Sequence, residues 1–396
     1  MYKITEVDIK NNRIVVEDLS SLFPVSCTCT REDILKADEL GFRILGLMPN
    51  KQIVVFDNYA KLCDVSGKLV IYDDDSLKQA SKAISEGSLM NGNSIICVYG
   101  SLYGLFESSN YREVCLSGLY VDRVTDMSSM FADATIYNLD ITGWNTKCLN
   151  KINFMFSGFQ GKAKGIGGMR VSNVESMRGT FSNMDLDLDL SGWDTSSCTD
   201  FSLMFEKYNK QKYSKDRELK GVGDFNVSCA ADMFGMFRHS ILEHMDLKNW
   251  VMAENCDVSQ MFYECAIHEL IMPDKSFKGS KMTYMFGGAE MDYLNISGWS
   301  MEDCSVMYLF ALSRVKFLDM RNLHLSGDIN DFGSMFMGAR IETLDLSGSV
   351  LDNFRIGSWD SVGGFVNTLV IDRKDADFIE VLKKQGHLRI SKIGWR

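Results

Sequence analysis

The amino-acid sequence predicts an α/β repeat solenoid of the leucine-rich-repeat type, with short parallel strands, little regular helix and a small N-terminal α+β domain. Three observations carry that prediction. A phenylalanine recurs at Phe106, Phe131, Phe156, Phe181, Phe205, Phe237, Phe262, Phe286, Phe310 and Phe336, in steps of 25, 25, 25, 24, 32, 25, 24, 24 and 26 residues. The residue before it is methionine in seven of the ten units: Met130, Met155, Met204, Met236, Met261, Met285 and Met335. Eight residues after it stand Leu139, Met245, Leu270, Leu294, Leu318 and Leu344, each opening a short alternating run such as Leu-Asp-Ile-Thr at 139–142. Alternation at period two marks a strand with one buried face. A fixed period of this length marks a stacked array.

A lone unit of this size cannot bury its apolar face, whereas stacked units cover one another. With parallel strands about 4.8 Å apart, ten units make a rod or arc roughly 45–50 Å long. Its core is then a set of continuous columns, in which each buried Phe or Met contributes roughly 1.5–3 kcal/mol. The long step from Phe205 to Phe237 marks an insertion. Two units depart together: "KGIGGMRVSNVESMRGTF" at 164–181 aligns without gaps to "KGVGDFNVSCAADMFGMF" at 220–237. Glycines in a strand point to a bulge or a close backbone approach. A phosphate-cradling loop would need a following Lys-Ser/Thr and a long helix, and neither is present.

The strings "LDLSGWDTSSCTDFSLMF" (188–205), "VTDMSSMFADA" (124–134) and "LNISGW" (294–299) resemble the BspA-like leucine-rich repeat family. Units of that family run close to LDLSxWDTSxVTDMSxMF. The resemblance covers about residues 100–349, with a weaker unit to about 373. It implies a repeat solenoid, and a surface protein acting in adhesion and protein binding.

The solenoid is expected over 93–373, between a domain or cap at 1–92 and a C-terminal cap at 374–396. At the N-terminus, "YKITEVDIKNNRIVVED" reads as two strands about an Asn-Asn turn. "TREDILKADELGF" reads as a helix capped by Thr30, with Asp33 at the capping-box position. "RILGLMPNKQIVVFDN" reads as a hairpin around Pro49-Asn50. "DDDSLKQASKAISEG" reads as a helix with acids at its start. At the other end, "VNTLVIDRK" reads as a last strand and "DADFIEVLKKQGH" as a closing helix.

The chain has 396 residues, 45% hydrophobic and 24% charged, as a folded protein does. A net charge of −11 disfavours a phosphate-backbone partner and an anionic membrane. No run of about eighteen apolar residues is present to span a bilayer. No secretory signal is visible, and the eleven cysteines are odd in number and scattered. Reduced thiols in the cytoplasm are the expectation, with the cell surface as the alternative.

The most regular polar feature is the residue after the first strand Leu: Asp140, Asp189, Asp246, Asn295, Asp319 and Asp345. Alternation points this column outward, onto a face suited to a basic partner or a cation, or onto one that is merely solvated. The insertion offers Lys207, Lys210, Lys212, Lys215, Arg217 and Lys220, interleaved with Tyr208 and Tyr213, as a partner-facing loop. Trp144, Trp193, Trp250 and Trp299 share one position and read as corner packing more readily than as binding anchors. Cys198, Cys256 and Cys304 read as small core hydrophobes. Cys27 and Cys29 form a lone C-x-C without a second pair, a poor zinc site. His239 and His244 are not at metalloprotease spacing.

No catalytic constellation, cofactor motif or metal site emerges. The expected function is a non-enzymatic module that binds a macromolecule, most naturally a protein. The alternatives are a BspA-type surface adhesin, and an enzyme or small-molecule binder acting through residues 1–92.

Overall fold

The structure, a computed structural model, describes residues 74–87, 100–209, 219–326, 335–350 and 363–396, apart from 118, 120, 123, 274, 275, 386 and 387. Elsewhere it describes six strands before residue 72 and one at 95–97. Near the N-terminus, β1 (Tyr2–Asp8) and β2 (Arg13–Asp18) pair antiparallel, with Asp8 opposite Arg13, as the Asn-Asn turn predicts. β3 (Pro24–Thr28) joins β2. β4 (Leu45–Leu47) and β5 (Ile53–Val55) pair antiparallel as the expected hairpin. Together they form one sheet of order β3-β2-β1-β4-β5. The helix expected at 30–42 lies outside the described residues, as do the side chains of Cys27 and Cys29.

β6 (Leu69–Ile71) leads into helix α1 (Asp74–Ser85), and β7 (Ile95–Cys97) returns parallel to β6. Asp74 and Asp75 in the first turn and Lys82 in the last oppose the helix dipole favourably. Leu77, Ala80 and Ile84 fall on one face of the helix. They join the same apolar cluster as Leu102 and Phe106 of the first coil. The Tyr111 hydroxyl donates to the Ile84 carbonyl, and Ser81 Oγ to the Gly104 carbonyl at 3.3 Å. The apolar side of α1 therefore covers the first coil.

The coils follow as a parallel-strand β-solenoid. β8 (Asn110–Cys115), β9 (Thr135–Asp140) and β10 (Gln160–Lys164) form its first sheet. β11 (Leu188–Asp189) and β12 (Leu219–Lys220) form a short second one. The third holds β13 (Ile241–Asp246), β14 (Ala266–Ile271), β16 (Glu290–Asn295), β18 (Arg314–Asp319), β20 (Arg340–Asp345), β21 (Gly364–Ile371) and, last, β22 (Leu388–Trp395). β15 (Ser276–Lys278), β17 (Ser300–Glu302) and β19 (His324–Ser326) make a small parallel side ladder. Register is strict: Met245, Leu270, Leu294, Leu318, Leu344 and Leu369 stand in one inner column, and Leu242, Ile267, Met291, Val315, Ile341 and Val366 in another.

The strands begin four residues earlier than the alternating run suggests. In β9 the inward residues are Ile136 and Leu139, separated by two outward ones, Tyr137 and Asn138. That pair of outward residues breaks the period of two, so only the stretch from Leu139 onward reads as alternation. The missed signal is a second apolar residue five positions after six of the phenylalanines: Ile136, Leu242, Ile267, Met291, Val315 and Ile341.

The ten phenylalanines form one ladder with adjacent ring centroids 5.2–5.9 Å apart. The loop around each ring is not helical, because two residues per coil are left-handed, at two before and two after the phenylalanine. Ser129 and Asp133 flank Phe131 in this way, and Tyr308 and Leu312 flank Phe310. Alternate amides then serve two purposes. Met130 and Ala132 close tight turns within the coil, while Phe131 and Asp133 donate to Met155 and Ser157 of the next coil. Every backbone donor of the buried loop thus has a partner without a helix. Single bridges from Ser101 through Asp126, Lys151 and onward to Ser305 run unbroken on this side, even where the strand ladder is interrupted.

At the C-terminus, β21 and helix α2 (Ala376–Gln385) occupy the places expected for them. The structure then adds β22, which pairs parallel to β21 and which the sequence reading takes as part of a cap.

Candidate functional site

Among the described strands the third sheet has the most members, and its outward side is the candidate surface for a partner. Two residues per strand point out, in rows that run across the coils. One row is Glu243, His268, Asp292, Lys316 and Glu342, so acidic residues alternate with basic ones from strand to strand. Asp292 accepts from His268 at 2.7 Å and from Lys316 at 2.6 Å. The Lys316 hydrogen bond is the chief reason the Asp292 carboxyl is held below its ordinary value. Next to that row, His244 meets Glu269 at 2.8 Å and Tyr293 stacks on Phe317 at 5.7 Å. Arg314 reaches Glu290 at 2.9 Å. Exposed pairs of this kind are screened by water and add little to stability.

The six residues of the predicted column stand where each strand turns, and all make the same turn. Their Oδ1 accepts the N–H two residues on: Thr142 at 2.9 Å from Asp140, Ser191 at 3.1 Å from Asp189, and Lys248 at 3.0 Å from Asp246. Ser297 lies at 2.9 Å from Asn295, Arg321 at 3.2 Å from Asp319, and Ser347 at 3.0 Å from Asp345. Hydroxyls reinforce the half-buried Asp140 and the exposed Asp189. Thr142 Oγ1 donates to Asp140 at 2.7 Å and Ser191 Oγ to Asp189 at 2.7 Å, and these bonds hold both carboxyls below 3.8. The expectation that the whole column faces solvent fails at its C-terminal end. Asp319 and Asp345 are each 1% exposed. Arg321 and Arg396 close over them, at 2.7 and 3.1 Å. A neighbouring arginine, which strand alternation cannot foresee, decides this.

Of the insertion, Lys207 is left-handed at its start and lies 3.9 Å from Glu206, and Lys220 ends β12 beside Asp189. Lys210, Lys212, Lys215 and Arg217 lie outside the described residues. Tyr208 is fully buried and its ring meets Phe205 edge-on.

The four tryptophans are buried, and each indole N–H donates to a carbonyl of the preceding coil. The acceptors are Leu116 for Trp144 (2.8 Å), Ile166 for Trp193 (3.2 Å), Val222 for Trp250 (2.9 Å) and Pro273 for Trp299 (2.9 Å). Cys198, Cys256 and Cys304 are buried, and burial pushes the Cys198 and Cys256 thiols up to about 12. His239 and His244 each meet a glutamate of the next coil, not one another.

Both glycine-rich units show the close approach expected of them. A Cβ on Gly221 would lie 2.2 Å from the Ser191 nitrogen, and one on Gly165 would lie 2.7 Å from the Ile141 carbonyl carbon. There the strand ladder breaks, and one turn of 3-10 helix follows at Ile166–Gly168 and at Val222–Asp224.

Among the described residues no group of three or more His, Cys, Asp or Glu is placed to hold a metal ion. Among them, too, no helix is long and apolar enough to cross a membrane. A shallow groove of about 740 Å³ lies between α1 and the first coil, lined by Leu77, Ser81, Tyr103 and Glu107 among others.

No curated protein and no solved structure matches the chain. A family described as "Mycoplasma protein of unknown function, DUF285" matches residues 101–185, 150–272 and 185–299. These overlapping segments lie within the coils and together span 101–299, just over half of the 396 residues. By its repeat, this chain belongs to the DUF285 family.

Proposed function

We propose that the chain is a non-enzymatic binding module that receives another protein on the outward face of its solenoid sheet. The observation that carries this reading is the pair of outward rows from β13 to β20. Those side chains lie outside the core columns and present their polar groups on the surface. Solenoids characteristically use such extended surfaces for recognition. The mixture of acidic and basic residues favours a partner of complementary pattern over one of uniform charge.

The resemblance to BspA-like repeats supports a finer reading, in which the partner is met at a cell surface and the role is adhesion. The scattered cysteines support a cytoplasmic module instead. Affinity capture from native lysate tests the shared part, using the full chain, a Lys316→Glu/Arg340→Glu variant and a variant shortened by seven residues within 210–218. Capture of one partner that the charge-reversed face loses supports the reading. Equal capture by all three chains refutes the face. Fractionation of intact cells separates the finer readings, since a wholly cytoplasmic pool is incompatible with adhesion.

A further inference from the structure

β22 (Leu388–Trp395) ends the third sheet. It pairs along its length with β21 and with no other described strand. Its outer row of backbone N–H and C=O groups is a template for one more strand. Two further observations distinguish this edge from a simple strand end. Ile390 and Ile393 continue the two inner columns, directly behind Val366 and Leu369. Those two are 0% exposed because β22 covers them, yet Ile390 and Ile393 are only half-buried.

The second observation is charge. Within this sheet Arg314 finds Glu290 on the adjacent strand at 2.9 Å, and Lys316 finds Asp292 at 2.6 Å. Arg389 and Lys392 stand opposite Phe365 and Thr368 on β21. Neither carries an ion pair among the described residues. Arg396, by contrast, turns back to Asp345 at 3.1 Å.

We propose that the β22 edge binds an extended acidic segment of a partner protein by parallel strand addition. The sheet's register specifies the segment. A carboxylate sits beside Arg389 and a second, three residues on, beside Lys392. The residue after each carboxylate is aliphatic and covers Ile390 or Ile393. Main-chain hydrogen bonds supply affinity and the alternate side chains supply selectivity, as in other strand-addition complexes. A second copy of β22 is the wrong occupant. Residues 388–396 hold three cationic side chains and no Asp or Glu, so self-pairing sets like charges together. This edge is separate from the outward face, so either reading can fail while the other stands.

The test is fluorescence anisotropy with the full chain and a labelled peptide Thr-Glu-Val-Thr-Glu-Val-Thr. Arg389→Glu/Lys392→Glu alters two exposed side chains, and its unfolding temperature is checked against wild type. The expected result is saturable binding by wild type and a loss of about tenfold or more in the variant. A peptide with lysine in place of glutamate should show the reverse preference. N-methylation of alternate peptide nitrogens should abolish binding in one phase and spare it in the other, because only one set of N–H groups faces β22. The proposal is overturned by no binding to wild type, by equal binding to the variant, or by indifference to N-methylation in both phases. Sedimentation showing a concentration-dependent dimer lost in the Arg389→Glu/Lys392→Glu chain would assign the edge to a second copy instead.

Discussion

Phe205 and Phe237 stack with ring centroids 5.4 Å apart and planes 3° apart, across the longest connection in the repeat. The insertion therefore leaves the core at Asn209 and rejoins it at Leu219 without disturbing the ladder on either side. Both rings are fully buried, and each also touches its other neighbour in the series.

Phe237→Ala should cost about 3–5 kcal/mol, because the ring's cavity lies between two aromatic neighbours that cannot collapse into it. Shortening 210–218 by seven residues brings the step from 32 to the ordinary 25 and should leave the unfolding temperature unchanged. Urea and thermal unfolding by circular dichroism check both. A loop deletion as damaging as the ring deletion would mean that the insertion is part of the core.

Gly221→Ala and Gly143→Ala form a matched pair. Both glycines are left-handed, at φ 84° and 82°. An added Cβ meets the Ser191 backbone at 2.2 Å in the first and nothing within 4 Å in the second. Gly143→Ala should cost only the left-handed penalty of about 1–2 kcal/mol. Gly221→Ala should cost clearly more, because backbone cannot step aside as a side chain can. Equal losses in urea titrations would show that the close approach is absent.

Acid should loosen the strand turns. The carboxyls of Asp140 and Asp189 are lowered in the folded chain, chiefly by the Thr142 and Ser191 hydroxyls. Their stabilisation is thus present above the unfolded value and fades as pH falls through the lowered folded value. Asp140→Asn/Asp189→Asn keeps the accepting oxygen, as Asn295 does at 2.9 Å, but removes the titration. Unfolding temperature measured from neutral pH to below 3.8 should fall less steeply in the variant than in wild type.

Thiol reactivity should sort by coil position. Cys115 and Cys229 are exposed, whereas Cys198, Cys256 and Cys265 are buried with thiols pushed by burial to about 12. Iodoacetamide on the native chain, read by mass spectrometry, should label the first two. The other three should react only after denaturation. Native labelling of Cys256 would contradict the packed column.

Several features are legible in single residues. Phe286 announces its place because an equivalent phenylalanine precedes and follows it at the same interval, and stacking is the way for all of them to be buried. Trp250 likewise reads as packing, since a bulky residue at one register position must fit the same corner in each coil. The outward pairs such as Lys316 and Phe317 are harder to read. They precede the alternating run, and their charges acquire partners only from neighbouring coils. The left-handed pair around Phe310 is invisible for a related reason: Tyr308 and Leu312 have no preference for that backbone, and the inter-coil hydrogen bonds impose it.

The sequence by itself determined the coil length, the phenylalanine ladder, the inner column that opens each alternating run and the place of the insertion. Each of these follows from repetition along the chain, because like residues at a constant spacing bury one another only by stacking. Tertiary structure alone decided that Asp345 is sealed by Arg396 while Asp189 stays exposed, where the ladder breaks, and that β22 stands last in the third sheet among the described strands. Those outcomes depend on which residue the adjacent coil brings alongside, and adjacency between coils is a property of the folded object.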